Sequence, residues 1–249
     1  MSFSFLPRTR RSLTNTPQVN TLTVDVHAHV LPGLDDGVES VEESITILRA
    51  MSQMGYSKVI ATPHIMGDFY RNTPSVIEFV RDEIQTQLNR RGVKIELEAA
   101  AEYYLDVDFV AMLDSTRRLL TFGGKYLLIE TSIITTPPFL NEAIRLIKNR
   151  GFIPVLAHPE RYLYLQKSFA LVLELSQKGV LFQVNTASLL NTADAETRNL
   201  AEKLIEYKLA SFMGSNLHRS AQVSQLKFAA ALPHFKLAIA DSALLNNRL

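Results

Sequence analysis

The chain has no cysteine among its 249 residues. Disulfides, thiolate metal ligands and every mechanism built on a cysteine nucleophile are excluded at once. It also lacks any stretch of roughly 18 apolar residues, so no membrane-spanning helix is expected. An excess of either charge is missing too, since 26 Lys+Arg face 25 Asp+Glu. Without a broad electrostatic footprint for nucleic acid or an anionic membrane, a small-molecule or protein substrate is the expectation. Residues 1–20 carry no secretory signal: Phe3, Phe5 and Leu6 precede Arg8, Arg10 and Arg11, the reverse of the usual order, and no sustained apolar region follows. A flexible N-terminal tail over residues 1–20, a single domain over residues 21–249 and a cytoplasmic location are expected. No feature of composition sets an oligomeric state.

From Leu22 onward, short apolar or β-branched runs alternate with longer helical patterns, the signature of repeated βα units around a parallel sheet. Val24 to His29 reads as the first strand. Ser40-Val41-Glu42-Glu43 has capping-box form, and Ile45, Leu48, Met51 and Met54 then recur at helical spacing up to Gly55. Lys58 to Thr62 reads as a second strand that breaks at Pro63-His64. Thr73-Pro74 opens a helix with the stripe Val76/Ile77, Val80, Ile84 and Leu88, closing near Gly92. Val93 to Ala101 is a third strand leading into Glu102-Tyr103-Tyr104, and a short helical segment spans Asp106 to Leu113. Tyr126 to Ile129, Ile153 to Ala157, Val180 to Val184 and Ala210 to Gly214 are further strands, with a helix over Leu140 to Arg150.

The positions of the polar residues point to function. Seven expected strands each end, on the C-terminal side, in a His, Glu or Asn. In (β/α) barrels the active site is built at that edge from several strands. Asp36 to His64, Glu102 to Glu130 and Glu130 to His158 are each separated by 28 residues, close to one βαβ period. Taken singly, each residue has a plain structural reading: His64 as a satisfied histidine, Glu102 or Glu130 as a loop carboxylate, Asp35-Asp36-Gly37 as turn chemistry. Together, five of the six histidines and several carboxylates converge on one rim, which makes a metal site. His234, after Pro233, stands outside the pattern. The donors are nitrogen and oxygen only, which fits Mn, Fe(II) or Zn and disfavours Ca. About eight ligands exceed the needs of one ion, so two or three are implied.

Asp25-Val26-His27-Ala28-His29, Asp35-Asp36-Gly37, Ala61-Thr62-Pro63-His64, Ala101-Glu102-Tyr103-Tyr104, Leu128-Ile129-Glu130 and Ala157-His158-Pro159-Glu160-Arg161-Tyr162, in this order, resemble the polymerase-and-histidinol-phosphatase (PHP) family of metal-dependent phosphoesterases. Within it the chain is similar to the bacterial manganese-dependent protein-tyrosine phosphatases of capsule and exopolysaccharide synthesis. The resemblance covers the chain from about Leu22 onward. It implies an α/β fold, a distorted (β/α)7 TIM-like barrel, carrying three metal ions. His27 and His29 would hold one ion, Glu102 would bridge it to a second completed by Glu130 and His158, and Asp36, His64 and His218 would hold the third. The family's last motif normally reads Ser-Asp-x-His, its Asp a ligand of the first ion; this chain has Ser215-Asn216-Leu217-His218. Asn216 can offer a neutral carbonyl oxygen there but no anion.

The chemistry implied is metal-assisted hydrolysis of a phosphomonoester, on phosphotyrosine of a protein such as a bacterial tyrosine kinase of polysaccharide export. Arg161 would stabilise the phosphoryl oxygens, guanidinium being planar and bidentate towards phosphate. His218 or a metal-bound water is the candidate proton donor; Arg71 either reaches the phosphate or is a solvated loop cation, and Tyr103 either lines the substrate pocket or packs. Arg219 is open between the site and the surface. A small-molecule substrate such as histidinol phosphate, or a site weakened by Asn216 into a phosphotyrosine-binding regulator, are the alternatives.

Overall fold

A computed structural model describes residues 22–249; the tail expected over residues 1–20 lies outside them. Nine strand segments carry the fold: β1 (Val24–Ala28), β2 (Lys58–Ala61), β3 (His64–Ile65), β4 (Glu96–Ala99), β5 (Glu102–Tyr104), β6 (Tyr126–Glu130), β7 (Ile153–Ala157), β8 (Leu181–Asn185) and β9 (Ala210–Gly214). All their ladders are parallel, in two sheets ordered β1-β2-β4 and β3-β5-β6-β7-β8-β9. Parallel strands need helical crossovers, and helices on the outside make the strands apolar on both faces. β6 and β7 follow that rule, with four of five residues buried in each.

The strands expected at Lys58 to Thr62 and Val93 to Ala101 are both interrupted and then resume. Pro63 has no N–H to offer a ladder, and β3 restarts at His64. The neighbouring strand breaks at the same register, at Ala100-Ala101, and restarts as β5. Thr62 N donates to Ala28 O at 2.9 Å, Ala100 N to Ala61 O at 2.8 Å and Glu102 N to Pro63 O at 3.1 Å, so the seam between the sheets stays hydrogen-bonded. After it, His64 pairs in register with Glu102, and Tyr104 with Glu130.

On the other side, β9 meets β1 without a strand ladder. Asn216 N donates to His27 O at 2.7 Å and His29 N to Leu217 O at 2.9 Å. At the opposite end a side chain does the work of a strand: fully buried Asn246 accepts from Met213 N at 2.9 Å and donates to Val24 O at 2.9 Å and Met213 O at 2.8 Å. The ladders therefore form two parallel sheets rather than one unbroken ring.

Helix Val41–Gln53 begins where expected, Ser40 Oγ accepting from Glu43 N at 3.2 Å, a cap worth about 1 kcal/mol. The reciprocal half of the capping box is not made, because the Glu43 carboxylate accepts from Ser220 N at 2.9 Å instead. Thr73 caps helix Pro74–Arg90, which buries Ile77, Ile84 and Leu88. Among the described residues no helix is long and apolar enough to cross a membrane.

Candidate metal centre

The centre starts from a register slip in β1. Val24 and Val26 pack in a small apolar cluster with Leu128, Val155 and Phe212, whereas Ala28 packs in the larger layer beneath the helices. The pairing with β2 shifts between Asp25 and Ala28, a bulge that changes which residues face the inner space. His27 and His29 stand at the C-terminal end of that inner cluster, both fully buried. Glu130 shares the face of Leu128 by strand alternation. His158 follows β7 in a left-handed conformation, φ 32°.

Glu102, fully buried, lies at the middle of the assembly. His27 Nε2, His29 Nε2 and Glu102 Oε2 form a triangle with sides of 3.1, 3.2 and 3.0 Å. His64 Nδ1 is 3.4 Å from the same carboxylate oxygen, and His158 Nε2 is 3.0 Å from the other. Glu130 stands 3.7 Å from both His64 and His158. Asp36 Oδ1 is 3.7 Å from His64 Nε2 and 3.5 Å from His218 Nε2, and the His218 ring stacks on His29 with centroids 4.0 Å apart. Ligands about 2.0–2.2 Å from one ion stand roughly 3–3.5 Å from each other, so these separations suit shared cations. Three sets have donor atoms mutually within 4.8 Å: His29, Asp36, His64 and His218; His27, Glu102 and His158; His64, Glu102 and Glu130.

The histidines are aimed by partners behind them. His29 Nδ1–H donates to Asp35 Oδ2 at 2.6 Å, His27 Nδ1–H to Gln183 Oε1 at 2.7 Å and His218 Nδ1–H to the Asn216 carbonyl at 3.0 Å. Each bond fixes the tautomer that leaves Nε2 with its lone pair towards the cluster, the usual second-shell arrangement behind a metal. Asp35 also accepts from His64 N at 2.9 Å and Gly37 N at 2.9 Å. Arg219 donates to the carbonyls of Asp36, Gly37 and His218, clamping the loop that presents Asp36. Two glycines are required by close approach: a Cβ at Gly37 would collide with the His29 backbone, and one at Gly214 would lie 2.5 Å from Gln183 Nε2 and 2.7 Å from His27 Cβ.

Electrostatically the metal-free cluster is in conflict. Burial would raise the Glu102 carboxyl, but the facing imidazoles of His27, His64 and His158 hold it well below the usual range. Burial and the charge of Glu102 push Glu130 up to about 8. Burial drives His158 and His218 down to about 4, while His29, against the same burial, is held up at about 10 by Asp35 and Glu102. Buried polar atoms without a hydrogen-bond partner include His64 Nδ1 and Asn216 Oδ1. Such orphans are costly unless something fills the site. Divalent cations would keep both carboxylates ionised and the imidazoles neutral, so the donor set fits them.

The cluster floors a cavity of about 690 Å³ lined by Asp36, His64, Glu102, Glu130, His158, Asn216 and His218, with Arg161 in its wall. Arg71 and Tyr103, each open between a place in the substrate pocket and a structural role, do not line this cavity. Arg71 Nε donates to Gly67 O at 2.6 Å beside a second cavity of about 840 Å³. Tyr103 is fully buried, its hydroxyl accepting from Leu120 N at 2.8 Å and its ring stacked on Phe109, because strand alternation turns it away from the face of Glu102. His234 pairs with Glu202 and Glu206 instead, at 3.4 and 3.0 Å. Asp35, left open as turn chemistry, and Gln183, unremarked in its strand, turn out to be the residues that orient the β1 histidines. The available signal for Gln183 was a lone amide inside an apolar strand.

Residues 23–232 match the model of the family described as "Capsular polysaccharide synthesis, CpsB/CapC". The chain belongs to that family. Among CpsB/CapC relatives it is 26% identical to the tyrosine-protein phosphatase YwqE of Bacillus subtilis (strain 168), over 91% of this chain and 93% of that protein. It is 28% identical to the putative tyrosine-protein phosphatase CapC of Staphylococcus aureus, over 78% and 76% of the two chains. A chain from the crystal structures of YwqE from Bacillus subtilis and CpsB from Streptococcus pneumoniae, described as unique metal-dependent tyrosine phosphatases, superposes with a TM-score of 0.79 at 25% identity, covering 90% of this chain and 94% of that one.

Proposed function

We propose that this CpsB/CapC chain is a metal-dependent protein-tyrosine phosphatase that binds two to three divalent ions, manganese first with iron or zinc as alternatives. The substrate is a phosphotyrosine protein, for which a bacterial tyrosine kinase of polysaccharide export is the candidate. The observation that carries the reading is Glu102 ringed by four imidazole nitrogens at 3.0 to 3.4 Å on the floor of an open cavity. The names of the relatives supply the substrate class. We also read the strands as a distorted (β/α)7 barrel, with β2 continued by β3, β4 by β5, and β9 closing on β1 through Asn216, Leu217 and Asn246.

His27, His29 and Glu102 would hold one ion, to which Asn216, in the same cavity lining, would offer its buried and unpartnered Oδ1 as a neutral oxygen. Glu102, Glu130 and His158 would hold a second, and Asp36, His64 and His218 a third. Such ions polarise water and offset charge on the phosphoryl oxygens. Arg161 orients the phosphoryl group from the cavity wall by its planar guanidinium. His218 has only Nε2 free, since Nδ1–H is engaged by the Asn216 carbonyl. One nitrogen cannot both ligate and deliver a proton, so we assign it to ligation. A phenol of pKa about 10 leaves with little acid assistance.

Turnover of a phosphotyrosyl peptide beside histidinol phosphate tests the substrate class: the peptide is the better substrate on this reading, and strong preference for the metabolite would defeat it. The second reading, a weakened phosphotyrosine-binding regulator, is favoured by Asn216 alone. Binding without turnover, with hydrolysis restored by Asn216→Asp, would establish it instead.

A further inference from the structure

Most of the cavity wall around the metal cluster is polar, which makes two of its side chains conspicuous. Of the large apolar residues that line it, Leu217 is buried, whereas Ile133 and Leu163 are each 40% exposed. Ile133 lies three residues beyond Glu130, in the loop after β6. Leu163 lies two residues beyond Arg161, after β7. Leu163 N donates to Ile133 O at 2.8 Å, so the two loops are pinned together and the spacing of the two side chains is set by the backbone. Both loops spring from the strands whose ends carry Glu130 and His158, two of the residues that line the cavity.

Exposing two branched aliphatic side chains in a wet cavity costs hydration free energy unless a ligand covers them. In an aryl phosphate the ring is joined directly to the phosphoryl oxygen, so it is the first group to leave the polar floor and pass along the wall. In a serine or short alkyl phosphate that place is taken by one methylene, and the wall stays wet.

We propose that Ile133 and Leu163 form an apolar clamp for the aromatic ring of the substrate, and that this clamp selects aryl over alkyl phosphomonoesters. The inference rests on the phosphotyrosine reading and names the residues that give it specificity. Ring contact at the clamp adds affinity without touching the reacting atoms, so its loss falls on KM and leaves kcat in place.

The test compares the full chain with Ile133→Ala/Leu163→Ala on a phosphotyrosyl peptide, p-nitrophenyl phosphate and a phosphoseryl peptide, with manganese content measured alongside. The expected result is a KM about tenfold higher for both aryl substrates, kcat/KM for the phosphoseryl peptide within twofold of the unaltered chain, and unchanged metal content. The conservative pair Ile133→Val/Leu163→Met restores the original KM, and Leu163→Ala alone carries about a threefold rise. Equal losses on all three substrates, or an unchanged KM for the aryl pair, would overturn the clamp. Failure of the unaltered chain on both aryl substrates would instead bring down the phosphotyrosine reading, and the clamp with it.

Discussion

Replacing Asp35 by asparagine probes how much of the metal affinity is supplied from behind the ligands. The Asp35 side chain is fully buried, with one oxygen accepting from His29 Nδ1–H at 2.6 Å and His64 N at 2.9 Å, and the other from Gly37 N at 2.9 Å. An amide can keep only one oxygen. With that oxygen towards His29, its NH₂ faces the Gly37 N–H, donor against donor, and the negative charge behind the imidazole is gone. The unmade bond to Gly37 costs about 1–3 kcal/mol of stability. Loss of a second-shell carboxylate lowers metal affinity by about 10- to 100-fold, or roughly 1.4 to 2.8 kcal/mol. Titration calorimetry with manganese on the metal-stripped protein, alongside urea unfolding, measures both effects. Affinity within twofold of the unaltered protein, in a variant that remains folded, would refute the assignment of Asp35 as the residue that tunes His29.

Other perturbations follow from the same geometry. Gly214→Ala places a Cβ 2.5 Å from Gln183 Nε2 and should cost about 1–3 kcal/mol in urea unfolding, with weaker manganese binding as Gln183 is pushed off His27. Asn246→Ala removes the three buried hydrogen bonds from this side chain, two to Met213 in β9 and one to Val24 in β1, and should lower stability by about 2–4 kcal/mol in the same assay, with kcat unaffected in the folded fraction. In the metal-free protein His29 keeps its proton up to about 10. Its folded pKa is raised above the unfolded value of about 6.5, so its stabilising contribution is complete below pH 6.5 and lost as pH rises through 10. Thermal unfolding in chelator should therefore show this contribution declining over that window, while manganese affinity, which requires the proton to leave, rises across it.

Much of the site was legible because parallel strands deliver their C-terminal residues to one edge. His64, Glu102, Glu130 and His158 each follow an apolar run, and position alone brings them together. Asp35 was ambiguous for a physical reason: its bond to Gly37 N is the very turn contact an Asp-x-Gly sequence suggests, and its bond to His29 uses the other oxygen. Gln183 depends on a partner 156 residues away, which no local pattern reveals. The break at Pro63 was announced by proline, whereas the matching break at Ala100 sits in a run of alanines with no breaking signal. Of the two readings open to Tyr103, packing rather than lining the pocket follows from Glu102 lying in β5, where alternation sends its neighbour to the opposite face.

The central claim, that the imidazole and carboxylate cluster around Glu102 is a metal centre that hydrolyses phosphotyrosine, meets its most direct test in one measurement. Phosphotyrosyl-peptide hydrolysis is followed with bound metal quantified before EDTA treatment, after chelation and desalting, and after manganese is returned. The account predicts two to three ions per chain at the start, activity lost with them, and both restored together. Activity that persists in the stripped protein would contradict it.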